Sequence, residues 1–140
     1  MTINFSIISI FPEIFSCLNY GIISKLIKSQ ICQIHCYNPR DYSKNRRVDD
    51  QPYGGGSGMI MQVLPIRKAI FQAKKINPAK VIYLSPQGKK FQQKMAINWV
   101  KQPKDLIFLA GRYRGIDERL LQNDIDEEWS LGDYIISGGE

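Results

Sequence analysis

The chain has 140 residues, of which 44% are hydrophobic and 23% charged, a composition typical of one globular domain rather than of a disordered chain. No apolar run approaches the roughly 20 residues of a membrane helix, and the N-terminus lacks the basic region and cleavage site of a signal peptide, so we expect a cytoplasmic protein. The net charge of +6 is unevenly distributed: residues 1–115 carry 18 basic and 5 acidic side chains, whereas residues 116–140 carry 1 and 8. This asymmetry favours a polyanionic partner for the basic portion, although a merely basic surface would produce it too.

The first forty residues read as a strand, a helical region and a second strand. Phe5 to Ile10 form a β-branched apolar run, as expected for a strand buried on both faces. Apolar residues then recur at helical spacing from Ile14 to Ile27 with an interruption at Gly21, which predicts two short helices or one broken helix. Ile31 to Tyr37 predict the second strand.

The three cysteines are expected to be free thiols, since their number is odd and no export signal precedes them. Cys32, His35 and Cys36 superficially offer three metal ligands. On a strand, however, His35 would point away from the face that the two cysteines share, so we predict no metal site.

The remaining elements alternate between helix and strand. We predict a long loop over 38–62, a helix from Pro65 to Asn77-Pro78, a strand over 81–84, a helix over 89–100, a strand over 106–110, a short helix over 116–122 and a strand-like segment near Ile135. This alternation predicts an α/β fold with a mainly parallel sheet covered by helices on both faces. Trp99 and Trp129 are expected in the core, and the acidic stretch 124–128 reads as a solvated helix end or strand edge rather than as a metal chelator.

Three loops follow predicted strands, at 85–88, 111–115 and 137–139. Ligands of parallel sheets bind beyond the carboxyl ends of the strands, so these loops should converge on one pocket. Gly111, Gly132, Gly138 and Gly139 would expose backbone donors and acceptors there, which suits an adenine ring, although each glycine alone is more often a turn residue.

The glycine-rich segment 54–59 invites a phosphate-loop interpretation, but no Lys-Ser or Lys-Thr follows it and no strand leads directly into it. Its glycines would permit close approach of a flat ligand. Arg46, Arg47, Asp49, Asp50 and Tyr53 add charges and a stacking surface beside it, which favours a binding function over a flexible surface loop.

Several ordered segments together resemble the TrmD family of bacterial tRNA (guanine-N1)-methyltransferases. They are Ile8 to Glu13, Pro39-Arg40-Asp41, Val48-Asp49-Asp50, Pro52 to Met59, Tyr83 to Gly88, Gly111-Arg112-Tyr113, Gly115 to Arg119 and Asp126 to Ser130. The resemblance implies a SPOUT-type knotted methyltransferase fold, whose knot would be incomplete in this chain, and a homodimer with active sites between subunits. It also implies S-adenosylmethionine as methyl donor and, as substrate, a tRNA that is methylated at N1 of the guanosine 3′ of the anticodon.

The resemblance also implies site residues. The cofactor-binding positions are Gly111, Leu131, Gly132, Asp133, Tyr134, Ile135 and Ile136, with Tyr83, Leu84, Ser85, Pro86, Gln87, Tyr113, Gly138 and Gly139 as further pocket positions. Substrate-binding candidates are Tyr53, Gly55, Gly56, Gly58, Arg46 and Arg47, since splayed-out RNA bases are commonly held by aromatic faces and phosphates by basic side chains.

The chain departs from the family pattern in two ways. The general-base aspartate of the family and an arginine that stabilises charge on the base lie beyond the position of Glu140, so the catalytic residues are unknown here. We therefore expect residues 1–140 to form the N-terminal S-adenosylmethionine-binding domain without the C-terminal tRNA-binding domain. Arg114 stands where the family typically carries glutamate. Two alternatives remain: an inactive remnant that binds tRNA or a partner subunit, and a generic nucleotide-binding α/β domain.

Overall fold

The computed structural model describes residues 1–51, 58–76, 78–112 and 115–140. The main sheet has five strands, all paired in parallel, in the order β2-β1-β6-β5-β7. Its strands are β1 (Ile3–Ile8), β2 (Cys32–Tyr37), β5 (Lys80–Lys90), β6 (Leu106–Ala110) and β7 (Glu127–Ser130), and two short strands, β3 (Asp49–Asp50) and β4 (Ile60–Met61), form a separate antiparallel ribbon. The helices are α1 (Gly21–Lys28), α2 (Val63–Ile76), α3 (Gln93–Lys101) and α4 (Glu118–Asn123), with 3-10 helices at Pro12–Asn19 and Pro39–Tyr42.

Helices lie on both faces of the sheet, as the sequence predicts. On one face, Ile8, Val81 and Leu109 pack with Ile66 and Ile70 of α2 in a buried apolar cluster. Because side chains alternate along a strand, the neighbouring residues of the same strands project to the opposite face. There the Phe5 ring lies 5.6 Å from the Trp99 ring of α3 and 6.3 Å from the Phe108 ring of β6.

The N-terminal helical region consists of two short helices, the first of the two predicted arrangements. The 3-10 helix Pro12–Asn19 and α1 are separated by Tyr20, which has extended backbone, and Gly21 begins α1 with a φ of +69°. Several of their apolar side chains remain exposed, among them Ile14, Ile22 and Ile23.

The predicted long loop is more ordered at its flanks than the sequence indicates. It contains the 3-10 helix Pro39–Tyr42 and the β3–β4 ribbon, and Val48 and Met61 are fully buried. These two apolar side chains anchor both sides of the glycine-rich segment to the core.

Three boundaries near the site differ from the prediction. β5 runs to Lys90, so α3 begins at Gln93 rather than at Lys89. The last strand is β7, within and after the acidic stretch, and not a segment near Ile135, which is 88% exposed. β7 is an edge strand, where acidic side chains can stay in water, and Glu127 pairs there with Lys80 at 2.9 Å.

The expectation that both tryptophans belong to the core was wrong, since each is only partly buried. Trp99 and Trp129 instead belong to the aromatic layer on the α3 face, where the Trp129 ring lies 5.4 Å from that of Phe91. The three cysteines are free thiols, with Cys32 buried and Cys17 and Cys36 exposed. No helix in the described ranges has the length and apolar character needed to cross a bilayer.

Candidate functional site

A cavity of about 600 Å³ lies beyond the carboxyl ends of β6 and β7, beside the C-terminal half of β5. All three predicted loops contribute to it, so their convergence is confirmed. Its lining includes the following predicted pocket residues: Tyr83, Leu84, Ser85, Pro86, Gln87, Gly111, Leu131, Gly132, Tyr134, Ile135, Ile136, Gly138 and Gly139. Asp133 does not line the cavity, and Tyr113 and Arg114 fall outside the described residues.

The first wall is a bulge within β5 and not a loop after it. Leu84 and Lys89 both align with Trp129 of β7, so residues 85–88 are extra residues that project from the ladder. The Gln87 amide donates to the Ser85 hydroxyl oxygen at 3.1 Å within the bulge. Gly88 closes it, where a Cβ atom would lie 2.5 Å from the backbone carbon of Glu128. Glycine is therefore required for the strand to return to β7.

Tyr83 forms the floor of the cavity, and its ring lies against Gly111. Burial, and secondarily the charge of Glu128 on the adjacent strand, raise the pKa of Tyr83 to about 12. The phenol is therefore neutral at physiological pH and presents a hydroxyl that can both donate and accept a hydrogen bond.

The second wall is the C-terminal segment, which is fixed to the end of β6. The Gly139 amide donates to the Gly111 carbonyl oxygen at 3.0 Å, and the Arg112 Nε lies 3.0 Å from the Glu140 Oε2. A Cβ atom on Gly139 would lie 3.0 Å from the Ala110 Cα, so the two backbones approach closely and glycine suits this position.

The third wall, residues 131–136, has no regular secondary structure. Its one backbone–backbone hydrogen bond in the described chain joins the Tyr134 amide to the Gly132 carbonyl oxygen at 3.0 Å. The Ser130 hydroxyl, which is buried, donates to the Gly132 carbonyl oxygen at 2.9 Å and steadies the turn. The Gly132 amide in turn donates to the Ser130 hydroxyl oxygen at 3.2 Å. Among the described contacts, the main-chain groups of Leu131, Asp133, Ile135 and Ile136 make no such bond and can meet a ligand.

The glycine-rich segment approaches the cavity through its C-terminal flank. The Met61 amide donates to the Gly115 carbonyl oxygen at 3.0 Å, and the Arg112 amide donates to the Met61 sulfur at 3.3 Å. Gly58 has a φ of +84°, a conformation that favours glycine. The predicted substrate residues Tyr53, Gly55 and Gly56 lie outside the described residues.

Arg46 and Arg47 do not line the cavity. Both are exposed and paired with acidic neighbours, Arg46 with Asp41 at 3.0 Å and Arg47 with Asp49 at 3.6 Å. Exposed pairs of this kind are weak, so either guanidinium could exchange its carboxylate for a phosphate.

Sequence reasoning placed Arg112 at the pocket within the loop 111–115 but missed several other lining residues, namely Ile116, Glu118, Leu121, Glu128, Trp129 and Ser130. Ile116 and Glu118 line the cavity because Asp117 caps α4 and fixes the first turn of this helix beside it. The Asp117 Oδ1 accepts a hydrogen bond from the Arg119 amide at 2.9 Å. Glu128 could have been found from strand alternation, since it is the neighbour of Tyr83 across the β5–β7 ladder.

The parallel sheet, the bulged β5 and the glycine-bordered cavity at the strand ends define an α/β domain of the SPOUT type, the fold that this chain shares with a solved methyltransferase. The crystal structure of tRNA (m1G37) methyltransferase from Aquifex aeolicus matches with a TM-score of 0.89 at 35% identity, over 99% of this chain and 64% of that one. The family model described as tRNA (Guanine-1)-methyltransferase TrmD matches residues 3–140. The chain belongs to the TrmD family.

Curated relatives give the same result. The chain is 52% identical to the tRNA (guanine-N(1)-)-methyltransferase of Colwellia psychrerythraea, over 96% of this chain and 56% of the relative. It is 48% identical to the protein of that name from Pseudomonas syringae pv. tomato, over 99% of this chain and 57% of the relative. The chain thus spans about half the length of the curated relatives it matches.

Proposed function

We propose that residues 1–140 form the donor-binding domain of an enzyme that transfers a methyl group from S-adenosylmethionine to N1 of the guanosine 3′ of the anticodon in tRNA. The observation that carries this proposal is the cavity at the strand ends in a chain of the TrmD family. The names of the relatives and of the Aquifex enzyme support the reaction and the class of substrate.

The cavity fits an adenosyl group by chemistry and by size. Backbone groups of 131–136 can pair with the edge of an adenine ring, while Ile135 and Ile136 offer apolar contact with its faces. A volume of about 600 Å³ is within the range of small-molecule sites, roughly 300–1,000 Å³. When bound, S-adenosylmethionine would supply an electrophilic methyl group on a sulfonium.

The contribution of this chain would be to hold the donor and exclude water from it. Tyr83 can offer a neutral hydroxyl within the cavity, and the bulge at Ser85–Gln87 covers one side. N1 of guanine must lose its proton to become a nucleophile, and a carboxylate placed close to N1 could accept it. We accordingly expect these residues to bind the donor.

Titration calorimetry of the purified chain with S-adenosylmethionine tests donor binding. The expected result is saturable 1:1 binding that weakens in a Gly132→Val variant, whose side chain would enter the space now occupied by the Tyr134 ring, 2.6 Å from a Cβ at that position. Leu64→Ala on α2 is a matched control, since Leu64 is exposed and does not line the cavity. Absence of binding at millimolar donor would remove the proposal.

We propose tRNA as the polyanionic partner, bound in part by Arg46 and Arg47. Neutralising phosphates releases counterions, so affinity for tRNA should fall steeply with salt. An Arg46→Gln/Arg47→Gln variant should bind tRNA more weakly and show a shallower salt slope than a Lys68→Gln/Lys74→Gln control on α2, where both lysines are exposed. Equal slopes in the two variants would contradict a direct role for the arginines.

We also propose that the protein is a homodimer and that it acts in the cytoplasm. The exposed apolar side chains of the N-terminal helices, Ile14, Ile22, Ile23 and Leu26, offer a surface that a second copy would cover. Light scattering should report a dimer that Ile22→Glu disrupts and that Leu64→Glu does not. Free thiols in all three cysteines support a reducing compartment.

A further inference from the structure

Arg112 is the basic side chain among the described residues that line the cavity, whereas Glu118 and Glu128 are acidic. A free guanidinium in this wall would oppose a cationic ligand, because like charges repel most strongly where little water screens them. The structure does not leave Arg112 free. Its Nε lies 3.0 Å from the Glu140 Oε2, and its guanidinium carbon lies 4.7 Å from the centre of the Phe11 ring.

Glu140 is unusually well buried for a carboxylate, with a side chain that is 5% exposed. Its second oxygen, Oε1, accepts a hydrogen bond from the Ser9 hydroxyl at 2.7 Å. Ser9 is itself buried, and its hydroxyl oxygen accepts from the Phe11 amide at 3.0 Å. Both carboxylate oxygens are therefore held, one by Arg112, which follows β6, and the other by Ser9, which follows β1. The pair with Arg112 is thus fixed in position.

We propose that Glu140 is a positioning residue that sets the charge specificity of the pocket: by pairing with Arg112 it neutralises the guanidinium and holds it against Phe11, so that the cavity accepts a positively charged donor. The inference rests on the proposed function and deepens it. It predicts that Glu140 discriminates between the donor, whose sulfur is a cationic sulfonium, and the demethylated product, whose sulfur is a neutral thioether.

The test is a comparison of two ligands, S-adenosylmethionine and S-adenosylhomocysteine, which share their adenosyl and amino acid groups. Glu140→Gln keeps the shape and the contact with Ser9 but removes the charge that compensates Arg112. Donor affinity should fall about tenfold more than product affinity, equivalent to about 1.4 kcal/mol. The double variant Arg112→Gln/Glu140→Gln should return the ratio of the two affinities to within about twofold of the original.

Ser9→Ala is the matched control, because it removes the other partner of the same carboxylate and leaves the charge pair intact. It should change both affinities equally. If Glu140 had only a structural role, Glu140→Gln would lower the affinities for the donor and the product equally. That result would overturn the inference. So would a double variant that keeps the altered ratio.

Thermal unfolding of each variant shows whether it is folded. If Glu140→Gln does not fold, the single variant Arg112→Gln provides the measurement, and its affinity ratio should shift toward the cationic donor. An unchanged ratio there would overturn the inference. Failure of the original chain to bind either ligand would instead remove the proposed function, and this inference with it.

Discussion

Gly111 lies directly against the ring of Tyr83: a Cβ atom at Gly111 would lie 2.9 Å from the Tyr83 Cε1 and 3.2 Å from its hydroxyl oxygen. The end of β6 therefore approaches the floor of the cavity as closely as a residue without a side chain allows. Since Tyr83 is only 8% exposed and packs in the apolar core, its ring has little room to retreat.

Gly111→Ala should therefore destabilise the protein by about 1–3 kcal/mol, as overpacking of a buried site usually does. Denaturant unfolding measures this change. In the background of Tyr83→Leu, which removes the ring atoms nearest to Gly111, the same substitution should cost less than half as much. An equal cost in both backgrounds would mean that the Tyr83 ring is not what excludes a side chain at position 111.

The raised pKa of Tyr83 leads us to expect a loss of stability at high pH. Burial raises its pKa from 10.0 to about 12, so the folded protein resists ionisation of a phenol that ionises readily when unfolded. A raised folded-state pKa gives stability that is fully present below pH ~10 and is lost as the pH rises through about 12.

The measurement is the free energy of unfolding between pH 8 and 12 for the original chain and for Tyr83→Phe. The original chain should lose about 2–3 kcal/mol more than the variant over this range. Tyr20→Phe is the control, because Tyr20 is 77% exposed. Parallel pH curves for the original chain and Tyr83→Phe would contradict the assignment.

Gly88 closes the bulge of β5, and its substitution should separate β5 from β7. A Cβ atom there would lie 2.5–2.6 Å from the backbone of Glu128 and Trp129, which cannot move without breaking the ladder. We expect Gly88→Ala to lower the free energy of unfolding by roughly 1–3 kcal/mol and to quench or shift the fluorescence of Trp129.

Gly21→Ala is a useful comparison for that variant. A Cβ at Gly21 would meet nothing within 4 Å, but its φ of +69° disfavours any side chain, so only strain of about 1 kcal/mol is expected. If Gly88→Ala cost no more than Gly21→Ala, close approach to β7 would not be the reason for glycine at position 88.

The sequence predicts the sheet and the convergence of its strand-end loops because buried parallel strands are continuous apolar runs. Leu106–Ala110 is such a run, and its observed bounds are those predicted. β7 carries no such signal, since an edge strand with Glu127 paired to Lys80 is polar. Ile135 and Ile136 suggest a strand by composition, yet both are exposed at the rim of the cavity.

The parts of the site that the sequence does not predict depend on contacts distant in the chain. The bulge in β5 exists only relative to Trp129, 40 to 45 residues later, and the pair between Arg112 and Glu140 joins the end of β6 to a segment 28 residues further along the chain. Neither local propensity nor periodicity encodes such contacts. The family resemblance gives the residues of the pocket but not which of them touch one another.

Asp117 predicts a loss of stability at low pH. Its carboxylate caps α4, accepting from the Arg119 backbone amide at 2.9 Å and from the Arg119 guanidinium at 2.8–2.9 Å. The side-chain hydrogen bond from Arg119 lowers the pKa of Asp117 from 3.8. A lowered folded-state pKa gives stability that is present above the unfolded value and is lost as the pH falls through the folded value.

Urea unfolding from pH 6 down to pH 3 checks this prediction. Asp117→Asn keeps an oxygen acceptor for the cap but has no charge to lose, so its stability should fall less steeply below pH ~4 than that of the original chain. Asp117→Ala also loses the cap and should be about 1 kcal/mol less stable than Asp117→Asn.

The cap also bears on the cavity. Because α4 carries Glu118 and Leu121 beside the cavity, both variants should weaken donor binding, and Asp117→Ala should weaken it more than Asp117→Asn. If the stability of Asp117→Asn and that of the original chain fell equally with pH, the negative charge of Asp117 would not stabilise the folded state.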